Sequence, residues 1–219
     1  MANWGFDTAT NCESQAGCIG STAVNGNKTT FVMRYYNIND GSKNLTPAEG
    51  SALASNGVRV GAVWENGYPT SVGYFTYSQG EYDGAQAFEY AAGTMNQHEG
   101  TPVYFAVDFD ATSADESAIT SYFSGVYQGY LSYIQARRHV GLPIITYDIG
   151  VYGSYWVLGW CQNQGIATYF YQSMSAGYSG GENANQWPDD NIWQRSSASV
   201  CGIGIDTDVA WGNEGAWLA

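Results

Sequence analysis

Three helix starts are written into this chain in the same way, and each stands between runs suited to strands. Thr46-Pro47-Ala48-Glu49, Ser78 with Glu81, and Ser113 with Glu116 have capping-box spacing: a hydroxyl and a carboxylate three residues apart satisfy the free N–H groups of a first helical turn. Pro47 at the first helical position and Gly57 as a stop frame the first helix. The second places Ala85, Phe88, Ala92 and Met95 on one face, and the third repeats Ile119, Tyr122, Phe123, Val126, Tyr127, Tyr130 and Ile134 at three-and-four spacing. Around them lie short apolar, aromatic or β-branched runs at 4–8, 30–36, 58–64 and 102–108, then 149–152, 168–172 and 191–194. Residues 202–211 read as a further strand or a structured tail. Strands that alternate with helices pair in parallel and are covered by those helices.

Two layouts satisfy that order, an open doubly wound sheet and a closed barrel. The open nucleotide-binding form carries a glycine-rich phosphate turn after an early strand, and neither GxGxxG nor a Walker loop occurs here. A barrel gathers its functional groups at the C-terminal ends of several strands, and Asp7, Tyr36, Glu65, Asp110, Tyr152 and Gln194 all stand at or just past such ends. The expected fold is therefore α/β, one irregular (β/α) TIM-type barrel over residues 1–219 with some short or missing helices. No linker and no internal repeat divides it.

Chemistry concentrates in the stretch 100–110, GTPVYFAVDFD, an apolar strand that closes on two acids. Alternation along a strand would put Asp108 and Asp110 on one face, with Cα atoms roughly 6.5 to 7 Å apart. Composition narrows the partners. Twenty acids against 7 bases give a net charge of -13, which repels phosphate backbones, so no nucleic acid is expected. The most apolar region, 140–160, is interrupted by Pro143, Asp148 and glycines, so no membrane span is expected. The start MANWGFD lacks the basic and apolar segments of a signal peptide.

Other chemistries fit poorly. Gly177-Tyr178-Ser179-Gly180-Gly181 matches the GxSxG pattern, but both histidines, His98 and His139, precede the serine, which reads instead as part of a glycine-rich loop. There is no HExxH spacing, and no metal or cofactor is expected; Ca²⁺ between Asp206 and Asp208 is the alternative. Cys12 with Cys18 would close a small loop and Cys161 with Cys201 a large one, buried free thiols being the alternative for each pair.

GFDT at the first strand, YFAVDFD in the middle, GVYGSYW after the long helix, and WQ followed by DTDV resemble the glycoside hydrolase-like barrel family catalogued as domain of unknown function 1906. More distantly the chain is similar to the family 25 glycoside hydrolases, lysozymes that cleave peptidoglycan glycan chains. The resemblance runs through nearly the whole chain in order. It implies that Asp7 corresponds to the acid of the lysozymes' first strand, and that Asp108 and Asp110 correspond to their Asp-x-Glu, whose Glu is the general acid. Trp193, Gln194 and then Asp206 or Asp208 correspond to their closing Trp-Gln and Asp. Asp110 departs from that pattern by one methylene.

The chemistry of glycoside hydrolysis fits these residues, because it needs one protonated and one ionised carboxyl group. Acids crowded at a barrel mouth supply both, since mutual repulsion raises the pKa of one of them. Asp110 is expected as the acid and Asp108 as the ionised partner. Asp7 and Asp206 are expected to stabilise positive charge at the sugar ring or to orient water, with Glu65 as the reserve acid. Tyr35, Trp64, Tyr152, Trp156 and Trp193 are the aromatic faces on which sugar rings could stack, beside Gln194. The expected protein is a carbohydrate-active hydrolase, a monomer acting outside the cell or on its envelope on a polysaccharide or peptidoglycan substrate. A non-catalytic glycan-binding barrel is the alternative.

Overall fold

A computed structural model describes residues 2–39, 41–179 and 184–219. Gly180 and Gly181 of the GxSxG match lie outside the described residues. The strands, in chain order, are β1 (Asn3–Asp7), β2 (Ala23–Val24), β3 (Asn27–Tyr36), β4 (Arg59–Trp64), β5 (Pro102–Ala106), β6 (Asp148–Gly153), β7 (Tyr169–Gln172), β8 (Ile192–Val200) and β9 (Ile203–Ala210). The α-helices are α1 (Ala16–Ser21), α2 (Pro47–Ser55), α3 (Tyr77–Gly93), α4 (Glu116–His139) and α5 (Tyr155–Gln164). Eight strands close into a TIM-type barrel with few helices, and β2 pairs only with β3, at the rim.

The parallel run holds from β3 to β8 and from β1 to β3, but β9 is antiparallel to both of its neighbours, β8 and β1. The departure has a local cause. Val200 pairs with Ile203 across a two-residue turn, and Cys201 and Gly202 have φ of 51° and 79°. Positive φ at both positions gives a turn whose twist matches that of the flanking strands, so the chain reverses there without a helix.

Helix α2 begins where expected. Thr46 Oγ1 accepts from the Glu49 N–H at 3.2 Å, and Gly57 follows the helix with φ 72°. Its box is only half closed, because the Glu49 carboxylate turns away to Arg34 at 2.6 Å, both side chains being buried. Helix α3 starts two residues earlier than its expected box: Thr76, not Ser78, caps it by accepting from the Gln79 N–H at 3.1 Å. Helix α4 is entered through Asp115, whose carboxylate accepts from the Thr112 N–H and hydroxyl at 2.9 Å. Helix α5 carried no capping box and was not expected. Helices α3 and α4 approach closely because a Cβ at Gly80 or Gly84 would strike the α4 backbone, and one at Gly125 or Gly129 the α3 backbone.

Two cores follow from strand alternation. Phe31, Met33, Val63, Tyr104, Ala106, Tyr171, Ile192 and Ala210 fill the barrel interior, while a larger cluster including Phe6, Tyr36, Trp64, Phe88, Phe105 and Phe123 lies between strands and helices. Gly150 leaves room for the Tyr104 ring, whose hydroxyl donates to the Glu214 carbonyl at 3.0 Å. The C-terminal segment closes the end of the barrel away from the acids, with Trp217 bridging to Val60 and Ala216 packing inward.

Neither expected cysteine pair forms. Cys18 on α1 is bonded to Cys201 at the β8–β9 turn, across a sequence separation of 183, while Cys12 and Cys161 are buried free thiols. Cys12 lies under the Glu49 carboxylate, which accepts its N–H at 2.8 Å, and Cys161 is held in the core by α5, so neither reaches a partner. No helix among the described residues is long and apolar enough to cross a membrane.

Candidate active site at the barrel mouth

Asp7 ends β1 and points into the barrel because Gly5 and Asp7 share the inward face. Its Oδ2 accepts from Gln194 Nε2 at 2.7 Å and from the Tyr171 hydroxyl at 2.8 Å, and its Oδ1 accepts from the Tyr35 hydroxyl at 3.2 Å. The loop that follows is fixed from behind, where the Arg34 guanidinium donates to the Thr8 carbonyl. Burial pushes the Asp7 carboxyl up to about 6, against the hydrogen bonds from Gln194 and Tyr171 and with a further upward push from Asp206.

The same tyrosine hydroxyl lies 2.9 Å from both carboxylate oxygens of Asp208. One hydroxyl proton cannot serve two ionised carboxylates at once, so Asp7 and Asp208 titrate as a pair that retains a second proton. Burial holds Asp208 well above the ordinary carboxylate range, and the charge of Asp7 adds to the effect. Asp206, on β9 directly opposite Asp7 of β1, accepts from the Ser197 hydroxyl at 2.6 Å and lines with Asp7, Thr8 and Tyr35 a cleft of about 350 Å³. The β8–β9 hairpin forms one wall of that cleft, and the Cys18–Cys201 disulfide anchors its tip.

On the other side, the Glu65 carboxylate pairs with Lys43 Nζ at 2.7 Å, and Lys43 lies 4.1 Å over the centre of the Tyr35 ring. Burial raises the Glu65 carboxyl, Lys43 pulls it down, and the nearby Asp108 charge raises it again. Asp108 is solvent-exposed, yet the surrounding walls withhold enough water to raise its carboxyl, with Lys43 opposing. Its backbone N–H is fastened to the Pro69 carbonyl at 3.0 Å. Tyr152 stands among these groups: its hydroxyl donates to Gln194 Oε1 at 3.2 Å, and its ionisation is opposed by burial and by the charges of Asp7, Asp108, Asp208 and Glu65.

Asp110 is placed differently. Strand β5 stops at Ala106, so the alternation that would align Asp110 with Asp108 does not reach it. Its two oxygens accept from the Ser179 N–H at 2.7 Å and the Ser179 hydroxyl at 2.8 Å, tying the loop after β5 to the loop after β7. Trp64 is only 1 % exposed and lies in the helix-side core, because Val63 before it on β4 and Glu65 just past the strand end take the inward positions. For the same reason Trp193 faces outward where Gln194 faces inward. Trp156 lies outside the barrel on α5, in an aromatic groove with Tyr155, Trp160 and Trp187. Thus Asp7, Asp206, Glu65, Asp108, Tyr35, Tyr152 and Gln194 gather at the mouth, whereas Trp64, Trp156 and Trp193 do not.

Two contributors, Tyr171 and Lys43, carry no expectation from the sequence. Tyr171 stands in the alternating run TYFYQ, where an inward tyrosine one layer below the strand end is the available signal. Asp208, which the resemblance offers beside Asp206, follows it by two residues and shares its face. Lys43, in a polar loop, carried no signal. Among the described residues no group of three His, Cys, Asp or Glu side chains forms a metal-holding cluster.

The comparisons with known proteins agree with this architecture. The family model described as Rv2525c-like, glycoside hydrolase-like domain matches residues 22–213. The chain is 32% identical over 165 residues to YbfG of Bacillus subtilis (strain 168), covering 72% of this chain and 21% of YbfG. It is 28% identical over 177 residues to FadG of the same organism, covering 78% of this chain and 29% of FadG, so it spans less than a third of either relative. Among solved structures, the Tat-secreted protein Rv2525c of Mycobacterium tuberculosis, in complex with HEPES, superposes with a TM-score of 0.72 at 18% identity over 98% of both chains. The modular autolysin LytC from Streptococcus pneumoniae, in complex with a synthetic peptidoglycan ligand, gives 0.57 at 14% identity over 96% of this chain and 47% of LytC. At such identities the structural likeness is one of fold. The family match extends from β2 through the closing strand β9, and on that ground the chain belongs to the Rv2525c-like, glycoside hydrolase-like domain family.

Proposed function

We propose that this barrel hydrolyses glycosidic bonds in a peptidoglycan-type glycan. The observation that carries the reading is the gathering of four carboxyl groups, Asp7, Asp108, Asp208 and Glu65, around Tyr152 at the mouth, three of them buried and Asp108 exposed to the open cleft. Asp108, the one of the four that reaches the open cleft, is the general acid that delivers a proton to a leaving oxygen, and the upward direction of its shift is the one that role needs. Asp7 is the ionised partner above about pH 6, with Asp206 beside it, and the pair stabilises positive charge developing at the sugar ring. Tyr35 and Tyr152 supply the walls. Glu65 is reserved by Lys43, and Asp110 holds the mouth's shape through Ser179. The fold shared with LytC, whose complex contains a peptidoglycan ligand, supports the choice of glycan. The disulfide and the Tat-secreted structural neighbour support an extracellular or envelope site of action.

Reducing-end release from purified peptidoglycan, compared across wild type, Asp108→Asn and Asp7→Asn, tests this. Release by wild type and loss of at least 100-fold in both variants is the expected result; equal release by all three overturns the assignment. A glycan-binding barrel without turnover is the second reading, favoured by the engagement of Asp110 with Ser179 and of Glu65 with Lys43. It predicts glycan pull-down with no release from any of the three.

A further inference from the structure

We propose that Trp193 and Arg195, on the outward face of β8, form a recognition subsite for a carboxylate-bearing glycan that runs out of the barrel mouth; this rests on the reading of the mouth as a glycan site. Among the described residues no helix packs extensively against β8 or β9, and although Phe6, Ile203 and Ile205 on the outer face are buried, that face opens into a cleft where Trp4, Arg195 and Trp211 meet. Register sets Trp193 opposite Val209 and Val209 opposite Trp4, one row across three strands. Trp211, 43% exposed, has its ring centre 6.5 Å from that of Trp193.

The Arg195 guanidinium lies 3.6 Å over the Trp193 ring. Stacking uses the face of the guanidinium and leaves its N–H edge free, a pre-organised fork for a carboxylate. Four of the 7 basic residues, Arg34, Lys43, Arg59 and Arg137, are committed to ion pairs. Arg195 is exposed and forms no ion pair among the described residues; Asp190 feels its charge while bonded to Gln186.

Its place gives that free fork a purpose. Arg195 lines a cleft of about 190 Å³ with Met174 and Gln194, and a second of about 440 Å³ with Trp4 and Trp211. Gln194 in turn holds Asp7. A chain leaving the mouth past Gln194 meets Arg195 first and the tryptophans next. In a protein of net charge -13 with an acid-lined mouth, an anionic ligand needs a cation at a defined point, and a neutral one has no use for it.

The test uses the full chain carrying Asp108→Asn, so that probes are not consumed, and calorimetric titration with two tetrasaccharides of one backbone. One is the N-acetylglucosamine tetramer; the other bears lactyl-ether carboxylates on alternate sugars. The acidic probe is expected to bind about 10- to 100-fold more tightly, the range of a charge-assisted pair, with a preference that shrinks as salt rises. Adding Arg195→Gln should bring the acidic probe down to the neutral one and leave the neutral one unchanged, and Arg195→Lys should restore part of the preference. Equal affinities in the parent, equal weakening of both probes by Arg195→Gln, or no binding of either overturns the subsite. Reducing-end release by wild type without charge preference refutes the subsite and leaves the hydrolase reading standing. Charge-selective binding without release does the reverse.

Discussion

Replacing Asp7 by Asn should stabilise the protein at neutral pH while removing its activity. The amide keeps the acceptor for Tyr171 and Gln194, and its NH₂ can donate to the Tyr35 hydroxyl, so each neighbour retains a partner. What disappears is a buried charge. The Asp7 carboxyl is displaced from 3.8 to about 6, and at about 1.4 kcal/mol per pH decade this amounts to about 3 kcal/mol. Because the folded-state value is raised, the associated stability is fully present below the unfolded value near pH 4 and is lost as pH rises through about 6. Urea unfolding of wild type and Asp7→Asn at intervals from pH 4 to pH 8 measures it directly. The two proteins should differ little at pH 4, and the variant should lead by about 3 kcal/mol above pH 7. Asp208 shares the Tyr171 hydroxyl, so the rise should be broader than one titration. A pH-independent difference, or a wild type that gains on the variant as pH rises, would refute the account of Asp7 as a carboxyl whose charge burial disfavours.

Three further outcomes follow from the geometry. Cys18→Ser should lower stability by about 2 to 5 kcal/mol, the loop-closure ceiling for so long a separation being about 5, and should cut glycan cleavage by loosening the hairpin wall of the cleft; equilibrium unfolding and reducing-end release check both. Gly125→Ala should cost about 1 to 3 kcal/mol despite the better helix propensity of alanine, since its methyl would meet the Tyr77 carbonyl, and thermal unfolding would record it. Asp110→Asn should retain glycan cleavage within about 10-fold while Asp108→Asn loses at least 100-fold, and the reverse order would make Asp110 the proton donor.

The order of strands and helices was legible because alternation and stops are local, but of the three expected caps only Thr46 stands where it is read, Thr76 and Asp115 opening α3 and α4 in place of Ser78 and Ser113. Thr46 caps α2 as read, and the inward face of β3 follows from alternation alone. What was not legible is nonlocal. Cys18 meets Cys201 only because the last hairpin folds back over α1, and no spacing rule encodes that. The first and last strands both contribute acids to the mouth; the strand ends point to Asp7, whereas Asp206, inside β9, is reached only through the resemblance. The displacement of Asp110 was hidden because β5 ends four residues before it. Trp64 was legible in principle: a residue between two inward positions points outward, and the proximity of Glu65 in sequence counted against it rather than for it.

The position of β9 has a consequence for synthesis. β1 is flanked in the barrel by β3 and by the last strand, so most of the chain must leave the ribosome before the ring can close. Until then the nascent sheet has two open edges, at β1 and at the leading strand, each able to pair with another chain. Ending the chain at Val200 would take away Asp206, Asp208 and the β1 partner strand together. The C-terminal hairpin is thus the step at which an aggregation-prone ribbon becomes a closed vessel with a chemically competent rim.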